Sequence, residues 1–174
     1  MNIRIAGEIS ESIVDGPGIR YVVFTQGCPH HCVGCHNPET HDFDKGTSID
    51  VDEICSRFAK HPYMSGLTIS GGEPFAQKSA ILSLIKGFKN IFPKKNILIY
   101  TGYTFEQLKA FADPEINEIL SLADYLVDGP FIISKRDISL IFRGSSNQRI
   151  IDLKQTQACN QVITCLLYTS PSPR

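Results

Sequence analysis

The sequence predicts an α/β domain on a mostly parallel sheet, and three observations point there. Short runs of β-branched and aromatic residues alternate with stretches whose apolar residues recur at i, i+3 and i+4. The runs end in Gly, Pro or Asp. The order β, β, α, β, α, β, α, α, β, then further strands, needs helical crossovers between parallel neighbours. With too few units to close eight-fold, the expected architecture is an open, partial TIM-like (β/α) barrel. The 174 residues are 42% hydrophobic with no linker-like break, so one domain is expected over 1–155.

Ile3 and Ile5 alternate with polar residues, as in a half-buried strand leading into the Asp15-Gly16-Pro17-Gly18 turn. Arg20 to Thr25 is short and nearly continuous in apolar character, which suits a strand buried on both faces. Val51, Ile54, Cys55, Phe58 and Ala59 then follow a helical period, with Asp50 and Glu53 placed as a capping box. Cys55 falls on the apolar face and reads as core. Leu67 to Ser70 is a strand that ends in Gly71-Gly72-Glu73-Pro74, followed by a helix burying Ile81, Leu84, Ile85 and Phe88. Asn96 to Thr101 is a third strand. Thr104 and Gln107 cap a short helix with Phe105, Leu108 and Phe111 inward, and Asp113-Pro114 opens another. Asp124 to Phe131 reads as a strand with Asp128 at its tip; Ile138 to Phe142 and Arg149 to Leu153 read as strands around a polar turn.

The most specific signal is the loop after the second strand, where Cys28, Cys32 and Cys35 are spaced C-x3-C-x2-C. Three thiolates so close in sequence converge at little entropic cost, and Gly27, Pro29, Gly34 and Pro38 keep the loop from winding into a helix. Structural zinc sites and electron-carrying clusters use four protein ligands, so a set of three points to a centre with one position open to a substrate. A Cys3His zinc site using His30, His31 or His36 is the local alternative. The Gly-Gly-Glu-Pro strand end adds exposed backbone and a carboxylate, Glu73, able to accept hydrogen bonds from a cationic amine. Tyr100 and Tyr103 read as core packing or as flanks for an adenine ring.

C-x3-C-x2-C resembles the cluster motif of the radical S-adenosylmethionine (SAM) enzymes. Asp15 to Arg20, Gln26 to Pro29, Cys35 to Thr40 and Arg143 to Gln148 are similar to their glycyl-radical-activating branch, and within it to the activators of anaerobic ribonucleoside-triphosphate reductase. The resemblance implies a barrel of the radical SAM type, with Cys28, Cys32 and Cys35 holding a [4Fe-4S] cluster whose fourth iron chelates SAM. It further implies a SAM pocket with Gly34, Cys35, His36, Gly72 and Glu73 at its wall, the Gly-Gly-Glu run holding the methionine amino group and Asp128 lying beside it. Reductive cleavage of SAM would give a 5'-deoxyadenosyl radical that makes a glycyl radical on the reductase large subunit, with a reduced flavodoxin-like protein as electron donor. An activator of another glycyl radical enzyme, such as pyruvate formate-lyase, and a non-catalytic metal module are the rival readings.

Net charge of -1 gives no case for nucleic acid or an anionic membrane, and no apolar run reaches the roughly 20 residues of a span. Without a signal-peptide pattern the six cysteines are expected in a reducing cytoplasm. The stretch 156–174 has neither period nor capping logic, is expected to be a tail not native to the domain, and gives Cys159 and Cys165 no role.

Overall fold

A computed structural model describes residues 1–167. Its centre is a seven-stranded sheet in the order β3-β1-β2-β4-β5-β6-β7. The strands are β1 (Asn2–Ser12), β2 (Arg20–Thr25), β3 (Thr47–Asp50), β4 (Gly66–Gly71), β5 (Asn96–Tyr100), β6 (Tyr125–Asp128) and β7 (Arg149–Asp152). The middle four, β2, β4, β5 and β6, are parallel; β1 and β3 on one side and β7 on the other run antiparallel. The expected mixed α/β architecture holds and the sheet is open, as expected, with β3 and β7 as its edges; it does not close into a barrel.

Alternation along the strands divides the sheet into two faces. Tyr21, Val23, Leu67, Ile69, Ile97, Ile99 and Leu126 pack with the apolar sides of α1 (Val51–Phe58), α2 (Lys78–Ile91) and α4 (Pro114–Leu122) in the main core. Leu98, Val127 and Ile150 form a smaller cluster on the opposite face with Tyr100, Tyr125 and Phe142. On that face lies Arg20, fully buried, its guanidinium donating to Thr68 Oγ1 at 3.1 Å, to Leu67 O at 2.8 Å and to Asn96 Oδ1. None of these partners is a carboxylate, so burial pulls the guanidinium pKa down to about 10. Thr68 in turn donates to Asp15 O at 2.8 Å, which pins the Asp15–Gly18 turn to the sheet.

Several local expectations change. Residues 138–142 form turns and no strand, because Ile138 and Ile141 stay exposed and have no neighbouring strand to pair with. Phe111, at the end of α3 (Phe105–Ala110), is exposed. Asp50 caps α1 through the amide of Asp52, while Glu53 turns outward to Arg57 at 2.6 Å. Beyond Gln155 the chain completes α5 (Leu153–Cys159) and returns along β7, with Asp152 N donating to Ile163 O and Cys165 N to Ile150 O, both at 2.9 Å. The rest of the expected tail, 168–174, lies outside the described residues.

Candidate functional site

The parallel strands deliver three loops to one end of the sheet. After β2, Gln26 is buried and acts as a tie: its amide nitrogen Nε2 donates to Glu39 O at 2.9 Å and Asp42 O at 2.7 Å, so the cysteine loop is closed at its base. Gly27 and Cys28 add backbone bonds to Thr40 O and His41 O. Gly27 and Gly34 take left-handed φ values of 99° and 77°, which an L side chain would strain. After β4, the amide of Gly72 donates to Thr25 O and that of Glu73 to Gly27 O, both at 2.8 Å. Thr101, Gly102 and Tyr103 follow β5.

These loops enclose a cavity of about 560 Å³, lined among others by Cys28, Cys32, Cys35, His36, Gly71, Gly72, Tyr100 and Arg143. All three cysteines are free thiols. Cys35 Sγ accepts the amide of Asn37 at 3.4 Å, an outer hydrogen bond of the kind that orients a metal ligand. Burial pushes the Cys28 thiol up, and the nearby backbone N–H groups of His30 and His31 pull it partly back. Among the described residues, no three His, Cys, Asp or Glu side chains are gathered tightly enough for one metal ion. A [4Fe-4S] cube does not ask for that convergence, since each thiolate takes a different iron. Three free thiols in the lining of one cavity, one already hydrogen-bonded by an amide, fit such a cluster.

The other expected cofactor contacts divide. His36 reaches the cavity with its ring against Phe131 at 5.0 Å, and Gly72 presents backbone there. Gly34, Glu73 and Asp128 do not line it. Gly34 sits behind Ile133, whose Cδ1 would lie 2.6 Å from a Cβ at that position. The Glu73 carboxylate, expected to accept from a substrate amine, is fully buried and already accepts from Phe75 N, Thr101 Oγ1, Gly102 N and His30 Nε2. Asp128 is equally enclosed: it accepts from Phe105 N at 2.8 Å and from Arg149 Nε at 3.0 Å, and Arg149 also bonds Glu106. Tyr100, read as core or as an adenine flank, lines the cavity, and desolvation pushes its phenol up.

The sequence reading missed Thr101 and Gly102 as parts of the site, and named His30 only as an alternative zinc ligand. Thr101 and Gly102 sit at the carboxyl end of a parallel strand, the same place as Cys28 and Gly72, and that position was the available signal.

Comparison with known proteins supplies the family. A model described as a 4Fe-4S single cluster domain matches residues 14–151. Anaerobic ribonucleoside-triphosphate reductase-activating proteins are similar across most of their length. That of Enterobacteria phage T4 is 37% identical over 79% of this chain and 86% of its own, and that of Vibrio cholerae 38% over 79% and 90%. That of Escherichia coli K12 is 35% identical over 82% and 94%. Among solved structures, that of QueE from Escherichia coli superposes with a TM-score of 0.50 at 17% identity, covering 60% of this chain and 54% of its own, a likeness of fold alone. No described helix is long and apolar enough to cross a membrane. A matching cluster domain and relatives sharing more than a third of their residues over nearly their whole length place this chain in the family of the anaerobic ribonucleoside-triphosphate reductase-activating proteins.

Proposed function

We propose that this protein activates an anaerobic ribonucleoside-triphosphate reductase by installing a glycyl radical on its large subunit, with SAM as the source of the abstracting radical. The observation that carries this reading is that Cys28, Cys32 and Cys35 line the same cavity as the Gly71-Gly72 strand end. A bound [4Fe-4S] cluster would pass one electron to SAM, breaking its sulfonium carbon–sulfur bond to leave methionine and a 5'-deoxyadenosyl radical, which takes a hydrogen atom from the target glycine. The electron comes from a reduced flavodoxin-like donor.

The chain's own part is to hold and to exclude. Cys28, Cys32 and Cys35 would hold the cluster and leave it one position open to SAM. Backbone of Gly71 and Gly72 and the ring of His36 form the near wall, and Tyr100 and Phe131 give apolar surface that keeps water from the reacting carbon. Gly34 gives the loop its turn. Glu73 and Asp128 serve from behind the wall by fixing the strand ends they are bonded to. The loop-covered face of the sheet acts as the interior of an incomplete TIM-like barrel of the radical SAM type, with 1–155 as the domain.

The test is anaerobic reconstitution with iron and sulfide, then dithionite and SAM. A [4Fe-4S] spectrum that changes on adding SAM, and release of 5'-deoxyadenosine, are expected. A colourless zinc protein, or an iron protein indifferent to SAM, overturns the reading.

A further inference from the structure

The apolar run Ile138 to Phe142 joins neither the sheet nor the main core, yet the backbone around it is tied down. Arg136 and Ser145 form an antiparallel bridge, Ser146 N donates to Lys135 O at 2.9 Å, and Asp137 N donates to Gly144 O at 3.2 Å. Residues 135–146 are therefore a hairpin with a closed base and an apolar tip. Phe142 holds a φ of 62°, a left-handed conformation rare for a bulky residue, and its side chain packs on the small cluster of Leu98, Val127 and Ile150. Such conformations persist where the surroundings enforce them, and they gather at working surfaces. Ile138 is left 90% exposed, and Ile141 is exposed as well.

This tip stands at the edge of the cysteine cavity, since Leu140, Phe142 and Arg143 belong to the cavity lining. Two other lining segments also carry exposed apolar side chains. Val14 is itself a lining residue and 73% exposed, with Ile13 exposed next to it; Val33, 76% exposed, lies between the lining residues Cys32 and Cys35. Exposed apolar side chains from three segments about one cavity mark a surface that another molecule covers.

The chemistry at the cavity says which molecule. SAM is small and needs only the cavity itself. The hydrogen to be taken sits on the backbone of a folded protein, so the residues on either side of that glycine must come to rest on the cavity edge. A second copy of this chain seated there would stand in the glycine's way. We propose that the 138–142 tip, together with Ile13, Val14 and Val33, is the docking rim for the glycine-bearing segment of the reductase, and that it takes apolar side chains flanking that glycine. The proposal rests on the function read above.

The experiment uses the whole reconstituted protein and two readings: 5'-deoxyadenosine released from SAM with dithionite in the absence of reductase, and glycyl radical formed on the purified reductase large subunit, counted by EPR. Ile138→Asp/Ile141→Asp is expected to release 5'-deoxyadenosine as the wild type does, and to form the glycyl radical at least about tenfold more slowly at limiting reductase, as when apolar anchors leave an interface. Ile138→Leu/Ile141→Leu is expected to keep both wild-type rates. Unchanged radical formation in the aspartate variant overturns the proposal and leaves the function reading standing; if that variant also turns a wild-type dimer into a monomer, the tip belongs to a second copy. Loss of both readings with wild-type iron content and urea midpoint overturns it too. Should the aspartates cost the protein its cluster or its fold, Ile138→Ser/Ile141→Ser decides: wild-type SAM cleavage with slowed radical formation supports the proposal, and any other result overturns it. A wild-type protein that leaves SAM intact, or cleaves it and gives the reductase no radical, overturns the function reading and this proposal with it.

Discussion

The amide of Glu73 donates to the carbonyl oxygen of Gly27 at 2.8 Å, so the strand end bearing the paired glycines is bonded directly to the strand end bearing the first cysteine. The fit there is close. A Cβ on Gly72 would lie 2.3 Å from the same Gly27 oxygen. Gly72→Ala must therefore push two backbones apart, and a loss of about 1–3 kcal/mol is expected, as for other overpacked sites. Urea unfolding measures this, and iron retention should fall with it. Gly7→Ala is the control: nothing stands within 4 Å of a Cβ there, so its midpoint should hold or rise.

Single replacement of Cys28, Cys32 or Cys35 by alanine should abolish stable [4Fe-4S] binding after reconstitution, measured as iron and sulfide per chain. Cys55→Ala should leave both unchanged. Cys55 is buried in the main core against α2, where burial pushes its thiol up to about 11, and it faces no part of the cavity.

Arg20 is a buried cation satisfied by neutral oxygens alone. Arg20→Leu would strip donors from Thr68, Leu67 and Asn96 together, and a cost of about 3–5 kcal/mol is expected, the size found on breaking a buried charged network. Arg20→Lys cannot reproduce a planar fork and should recover only part of that. Chemical denaturation of the three proteins checks the order.

Acid should weaken the fold through surface carboxylates. Arg149 holds Glu106 below the usual carboxylate range, and Lys78 with the first amides of α4 does the same for Asp113. A carboxylate whose folded pKa is depressed contributes stability that is complete above its unfolded value of about 4 and is lost as pH falls through the folded one. The urea midpoint should therefore be flat above about pH 5 and drop below about pH 4. Glu106 is more than half exposed, so Glu106→Gln should cost under about 1 kcal/mol at neutral pH while making the acid slope shallower. Added salt should shrink the difference between the two proteins.

The parallel strands and the main helices were legible because their apolar periods are undisturbed: Tyr21 to Phe24, Leu67 to Ile69 and Ile97 to Ile99 carry one signal, Ile54 to Phe58 and Ile81 to Phe88 the other. The edge strand β3 was not, since Thr47 and Ser48 are exposed and only Ile49 is buried, too little for a pattern. Ile138 to Phe142 gave the opposite error: apolar residues in a row, without a partner strand, stay in turns. At the site, the cysteines and Gly72 were readable as spaced motifs. The direction of the Glu73 side chain was not, because it depends on Thr101, Gly102 and His30, three residues from two other segments. A motif read along the chain reports that a carboxylate is present, and tertiary neighbours decide whether it meets the ligand.

One consequence of the unclosed sheet remains. A complete eight-fold ring would admit a reactant only down its axis, which suits a small diffusing molecule. With β3 and β7 left apart, no closed rim surrounds the strand ends that carry the cysteines, which suits a reacting atom that cannot leave its own polypeptide and arrives attached to a bulky folded body.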